Sequence, residues 1–303
     1  MSFDKIVETF NYMFVAYWKH IIELLHTPGL TNYFYWVAFW FLFCFTLEVF
    51  LPKKINYPTV KRKGFFLDLF YVFFNDFLFA ALGFFALTVI VEMVYKYLIT
   101  QIGFDADAAL LNIDQLHFSI QILILFILQD FLEFFAHFLL HRVSFLWKFH
   151  KIHHAQEQLG AASTRHFHFM EFFVFKPILY IPFSIIGYQA EQYIIFTLAI
   201  GVFSSFFTHS NVNIKFGFLN YIINNPNTHY WHHAKNYPTD YKYGVNFASV
   251  LNIWDLLFKC YYNPKNKKII LGVDDKEVPK SFIGQSIYPF KEIKRKLMKR
   301  NKA

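Results

Sequence analysis

Cysteine is nearly absent: the 303 residues hold two, Cys44 and Cys260. Cys44 falls in a predicted membrane span and Cys260 in a predicted cytosolic segment, so neither a disulfide nor a cysteine-held iron-sulfur cluster is expected. Charge is scarce as well, at 17% of residues against 56% hydrophobic and 22% aromatic, with 43 phenylalanines. A soluble core cannot hide that much phenylalanine without leaving an adhesive surface. The composition therefore excludes an ordinary soluble domain and places the chain in lipid. No low-complexity linker and no long internal repeat occur. Near the start, no small-residue cleavage pattern follows a compact apolar run, so residues 1–30 read as an amphipathic or peripheral helix that ends at a Pro28-Gly29 turn, not as a cleaved signal.

Five apolar stretches are long enough to matter. Residues 32–50 carry Glu48 as their only charge, and at about 1.5 Å per residue they match a hydrocarbon core of roughly 30 Å. Residues 65–98 could span with tilt, with Asp68, Asn75 and Asp76 placed at the interface, and residues 118–140 form a third span. Residues 172–187 and 193–208 are shorter and read as a hairpin joined at residues 187–191. Lys53, Lys54, Lys61, Arg62 and Lys63 follow the first span, whereas the loop after the second carries Asp105, Asp107 and Asp114. The basic loop is therefore expected in the cytosol. The predicted fold is all-α: a polytopic membrane helical bundle with a cytosolic histidine-rich helical cap. Residues 1–112 would be an N-terminal membrane region, 113–262 the catalytic region and 263–303 a basic cytosolic tail. The formal charge of +8 comes largely from such cytosolic segments, so nucleic acid is not an expected partner. The basic end, residues 291–302, is expected to be a solvated tip that could touch anionic lipid heads.

Against this background the histidines stand out. His137 and His141 form an HxxxH pair, and His150, His153 and His154 share an HxxHH spelling with His229, His232 and His233. Residues three and four apart share a helix face, so each motif lays imidazoles along one stripe. Neutral imidazole nitrogen suits Fe, Zn, Cu and Ni, and three such stripes could enclose two ions. A solvated basic surface is the bland explanation of any one cluster, and it explains all of them together poorly. The topology, argued from Lys and Arg alone, brings His168 and His209 to the same membrane boundary. His166 lies two residues from His168 and competes for its place. His20, His26 and His117 are isolated and read as surface or interfacial, and Trp147, Trp231 and Trp254 as interfacial anchors of the cap.

The order of motifs resembles the fatty acid hydroxylase/sterol desaturase superfamily. Asp130, Glu133, His137 and His141-Arg142 come first, then Leu146-Trp147 with His150, His153 and His154. Phe167-His168-Phe169-Met170-Glu171 is similar to that family's FHPxE element and His209-Ser210-Asn211 to its HSN. The series closes with Asn225-Pro226, His229, His232-His233, Tyr243-Gly244 and Ile253-Trp254-Asp255 up to Phe258. The resemblance covers residues 129–258. It implies a membrane enzyme that hydroxylates or desaturates a membrane lipid with O2 as co-substrate, at a diiron centre, with zinc possible in an inactive form. It also implies metal binding by His137, His141, His150, His153, His154, His168, His209, His229, His232 and His233. Asp130 and Glu133, on the helix of His137, are candidates to accept hydrogen bonds from ligand imidazoles, with Glu171 and Asp255 in similar roles. Aromatic spans would supply an apolar slot for the lipid. The chain departs from the pattern at Phe134, Phe138, Phe169 and Lys259-Cys260, where the family often has Tyr, Arg, Pro and Gly-Thr.

No HPGG motif occurs, so a fused cytochrome b5-type domain is not expected. Electrons should come from a separate donor of cytochrome b5, ferredoxin or reductase type. A zinc-binding hydrolase, a metal transporter and a non-catalytic member of the family are the competing readings. A hydrolase would usually keep one open position beside three ligands, and a transporter would spread ionisable residues through its spans.

Overall fold

Asn32 opens the first long apolar helix by accepting a hydrogen bond from the Phe34 amide, directly after a turn that Asn32 N closes onto Gly29 O. That turn joins α1 (Phe3–His26) to α2 (Tyr33–Phe50). The computed structural model describes residues 3–79, 85–103, 105, 113, 115–186 and 197–300. Within them the chain forms eleven α-helices with short 3₁₀ and π turns. Strands are absent among the described residues, and isolated bridges pair Ile223 with Leu251 and Ala234 with Leu271. The 187–191 hairpin turn, residues 80–84 and 193–196 of the expected spans, and Asp107 and Asp114 lie outside the described residues.

After α2 come α3 (Phe65–Phe73), running into a π turn at Phe74–Leu78, and α4 (Phe85–Gln101). Next are α5 (Phe118–Arg142) and α6 (Ser144–His154). His117 caps α5 by accepting from Ser119 N, which gives this isolated histidine a local task. Two 3₁₀ turns, Ala161–Arg165 and Phe169–Glu171, lead into α7 (Phe172–Ile186). Then follow α8 (Phe203–His209), α9 (Pro226–His232), α10 (Ile253–Leu257) and α11 (Phe282–Arg300). Among the described residues, α2 and α5 are long and apolar enough to cross a membrane.

Polar residues of the apolar segments are spent on internal partners. Asp68, Asn75 and Asp76, expected at the interface, are all buried. Asp68 pairs with Arg62 at 2.6 Å and accepts from Ser163 Oγ and His166 Nδ1. Asn75 donates to the carbonyls of Arg165 and Phe167, while Asp76 accepts from Arg165 Nε and Tyr33 OH. A carboxylate in an apolar surround must find such partners or stay with water. Here they fasten α3 and its π turn to the 161–168 loop.

The C-terminal segment divides. Gln285 and Tyr288 are buried, and Lys151 of α6 reaches both Asp275 at 2.7 Å and Glu292 at 3.0 Å. Beyond residue 292 the end of α11 is largely exposed, as a solvated basic tip requires.

Glu48 is the strongest of these fasteners. It is 2% exposed, and its Oε1 accepts from Ala161 N at 2.8 Å and from Asn211 N at 2.7 Å. One carboxylate thus joins α2 to the start of a 3₁₀ turn and to the end of α8. Glu48→Ala would strand both amides in the interior, each at about 1–3 kcal/mol. The expected outcome is a fall in the thermal midpoint of the purified protein, larger than that of Glu48→Gln, which keeps an acceptor oxygen. Equal midpoints for the two variants would contradict this role.

Candidate metal centre

Four helices deliver the imidazoles. α5 carries His137 and His141 in its last two turns, on the stripe that also holds Gln129 and Glu133. Val143 breaks the helix, and α6 folds back with His150, His153 and His154 at its end. α8 stops at His209. α9 is seven residues long and is built around its own start: Asn225 caps it, accepting from Asn227 N, and Pro226 occupies the first turn, where its missing N–H is not needed. This short helix carries His229 and His232, with His233 at its C-cap.

The side chains gather into two groups, His137, His141, His150, His154 and His232 in one and His153, His209, His229 and His233 in the other. Within each, the ligating atoms lie within 4.8 Å of one another. All but the partly exposed His137 are buried. Burial first, then the neighbouring imidazoles, holds His150, His153, His154, His229, His232 and His233 well below the usual histidine range. These rings are neutral, which is the metal-binding form.

Backbone carbonyls fix which nitrogen faces inward. His137 Nδ1 donates to Phe247 O at 2.9 Å, His141 Nδ1 to Tyr243 O at 3.1 Å and His232 Nδ1 to Val245 O at 2.8 Å. On the other side, His153 Nδ1 donates to His166 O at 3.1 Å and His209 Nδ1 to Ser205 O at 2.9 Å. A neutral ring whose proton sits on Nδ1 has a bare lone pair on Nε2. The Nε2 atoms of His153 and His209 nevertheless face each other at 3.2 Å, and those of His141 and His232 are buried with no hydrogen-bond partner. Bare acceptors packed together repel unless a cation lies among them. The donor set therefore fits two metal ions, one per group, and all-imidazole donors suit iron, copper, nickel or zinc.

Glu171 is the one carboxylate in direct contact with these rings among the described residues, accepting from His150 Nδ1 at 2.9 Å. Burial pushes its carboxyl up to about 8. A cation at His150 Nε2 would require that nitrogen bare, leaving the ring proton on Nδ1 and Glu171 as its acceptor.

The other proposed site residues sit elsewhere. His168 lies outside both groups: its Nδ1 accepts from Met170 N and its Nε2 contacts Ser286 O. The ring of His166 lies between Asp68 and Gln285, and only its carbonyl serves the centre. Asp130 accepts from Val250 N, Leu251 N and Trp254 Nε1, and Glu133 from Gln129 Nε2 and Ser249 Oγ. Both hold the 249–254 loop instead of an imidazole. Asp255 accepts from Phe247 N and Ala248 N, so it steadies the loop whose carbonyls orient His137 and His232. Trp254 is tied to Asp130 and Trp231 is buried against Tyr262, so neither is a free interfacial anchor.

The loop of residues 243–247 was legible only as the Tyr243-Gly244 pair. Gly244 has φ +108°, and a Cβ there would come 3.3 Å from His141 Nδ1. The departures Phe134 and Phe138 pack behind the same loop, with Phe134 buried beside Phe247 and Phe138 edge-on to it at 5.4 Å.

A cavity of about 360 Å³ opens onto His137 and His150 of one group and His153, His209 and His229 of the other. Phe172, Phe175, Leu179 and Val202 give it apolar walls, and Gln129, Glu133, Arg165, Lys176 and Ser249 are polar groups set among them. The slot is mainly apolar, as expected from the aromatic spans, with charged and polar side chains at a few points. Arg165 and Lys176 carried no motif that would have marked them.

Residues 122–260 match the family described as fatty acid hydroxylase. The chain is 30% identical over 184 residues to the ornithine lipid hydroxylase of Rhizobium tropici, covering 60% of this chain and 54% of that protein. It is 26% identical over 149 residues to the alkylglycerol monooxygenase of Homo sapiens, covering 48% of this chain and 31% of that one. The Xenopus tropicalis alkylglycerol monooxygenase is 25% identical over a stretch of the same length. The chain thus spans about half or less of the length of these relatives. No solved structure matches.

The carbonyl loop can be tested without touching a ligand. Asp255→Ala frees the amides of Phe247 and Ala248 while leaving every imidazole in place. Bound metal, measured by elemental analysis after dialysis against a graded chelator, should be released at about 10- to 100-fold lower chelator strength, the usual size of such indirect effects. Retention equal to the parent protein would remove Asp255 from the centre's support.

Proposed function

Because residues 122–260 match the fatty acid hydroxylase family, we propose that the chain belongs to that family and is a multi-pass membrane oxidoreductase that hydroxylates or desaturates a membrane lipid with O2 at a diiron centre facing the cytosol. One observation carries the reading: two groups of inward-turned imidazoles meet beside a cavity large enough for part of a lipid. The relatives named as ornithine lipid hydroxylase and alkylglycerol monooxygenase both act on lipids, which supports a lipid substrate here.

Bound iron would supply the activation of O2 that attack on an unactivated C–H bond needs and no side chain can provide. His137, His141, His150, His154 and His232 would hold one ion, and His153, His209, His229 and His233 the other. The protein's own work is positional. Carbonyls of residues 243–247 and Glu171 keep the rings in register, so little reorganisation is left for the reaction itself. Phe172, Phe175, Leu179 and Val202 line the approach and restrict water, which limits wasteful loss of the oxidant. Hydroxylation consumes two electrons from outside the substrate, and the buried thiols Cys44 and Cys260 offer no relay. A separate electron donor completes the system.

The decisive experiment pairs metal analysis with lipid profiling. The purified chain should contain about two iron ions, and His153→Ala and His232→Ala should each lower that content sharply. Cells expressing the chain should gain lipids heavier by one oxygen or lighter by two hydrogens, and both variants should abolish the change. One tightly held zinc with an unaltered lipid profile would favour the hydrolytic or transport alternative. A full iron complement without any lipid change would make the chain a non-catalytic member.

A further inference from the structure

Among the described residues, the cavity's charged lining holds one side chain without a counterpart. Besides histidines, the described lining has four charged residues: Glu133, Arg165, Glu171 and Lys176. Arg165 pairs with Asp76 at 3.1 Å and donates to Tyr33 OH. Glu133 accepts from Gln129 and Ser249, and Glu171 from His150 and the His168 amide. Lys176 has no hydrogen bond or ion pair among the described residues. It is also the only charged residue of α7, Phe172–Ile186.

Its placement on that helix is directed. Phe172, Phe175, Lys176 and Leu179 all line the cavity, and their spacing of three and four puts them on one helical face. Three members of the face are apolar and the fourth is an ammonium. α7 starts immediately after Glu171, so the backbone of Lys176 stands about 7.5 Å along the axis from that of Glu171, whose carboxylate touches His150. An unpaired charge in an apolar segment is costly and marks function more often than packing.

We propose that Lys176 binds the acidic group of an amphiphilic substrate, a carboxylate or a phosphate, inside the cavity. The inference rests on the lipid-oxidising reading above and narrows it: the substrate is an acidic lipid, and the carbon presented to the histidine groups lies within a few bonds of its head. The neutral polar lining at Gln129 and Ser249 agrees with a head, since a hydrocarbon tail would gain nothing from it. Lys176 is exposed on α7, so its competing use is snorkelling, with the stem lying along the helix and the ammonium reaching surrounding headgroups. Snorkelling would make ligand binding indifferent to the ligand's own charge.

Binding separates the two and does not depend on turnover. The full-length protein in uncharged detergent is titrated with three ligands of equal acyl length: myristate, 1-myristoyl lysophosphatidic acid and 1-myristoylglycerol. Native mass spectrometry gives bound fractions. At least one anionic ligand should bind at least tenfold more tightly than the uncharged monoglyceride, and which one does so identifies the group as carboxylate or phosphate. Lys176→Gln should abolish the preference, and Lys176→Arg should keep most of it. Equal binding of all three ligands, or a preference that survives in Lys176→Gln, overturns the proposal. If the preference holds while cells show no oxidised lipid, the site stands and the enzymatic reading falls. If lipids are oxidised but binding ignores charge, the reverse is true.

Discussion

Each imidazole in the centre is useful only if its proton is held on the outer nitrogen. Five of the nine grouped rings donate Nδ1–H to a backbone carbonyl, and His150 is held by Glu171 instead. A carbonyl cannot change protonation state, so the tautomer it selects does not drift with pH or with the arrival of substrate. The rest of the architecture follows from this need. Carbonyls must be aimed at the backs of the rings, and except for Ser205 O within α8 they come from backbone outside regular helix, at residues 166, 243, 245 and 247. Residues 243–247 therefore run as an irregular loop, stabilised from behind by Asp255 and by the Phe134, Phe138 and Phe247 packing.

The same demand explains why so many buried acids serve backbone and not histidine. Asp130 takes the amides of Val250 and Leu251, Asp255 those of Phe247 and Ala248, and Glu48 those of Ala161 and Asn211. Irregular backbone at the edge of an apolar domain leaves amides without helical partners, and a carboxylate satisfies two at once. These acids read in sequence as candidate partners of ligands because they lie near histidines. They are near because the loops that orient the histidines need them.

This marks the limit of what a sequence discloses. Spacing on a helix shows which residues share a face, so HxxxH and both HxxHH motifs could be read as inward stripes. It does not show which way a ring outside a helix turns. His166 and His168 lie between two short 3₁₀ turns, where a shift of one position reverses the direction of a side chain. The carbonyl of one and the glutamate following the other reach the centre, while both rings face α11. Carbonyl ligands of imidazole are silent in any sequence, since every residue has one. Of that loop only Gly244 left a trace, through a backbone angle that a side chain would strain.

The C-terminal segment shows how the two sides of the centre are kept in register. His153 depends on the carbonyl of His166, whose ring is clamped by Asp68 from α3 and by Gln285 from α11. Gln285 Oε1 also accepts from Tyr71 OH at 2.8 Å, and Lys151 on α6 is tied to Asp275 and Glu292. One face of α11 therefore touches both the helix that carries three of the histidines and the loop that orients one of them. Displacing α11 would loosen the second group through His166 while leaving the carbonyl loop behind His137, His141 and His232 intact. The two groups are thus supported by different parts of the chain, one from within the family-matched region and the other from a helix beyond it. Because α6 contributes to both groups, it is the element on which these separate supports converge, and its lysine bridge ties it to the tail.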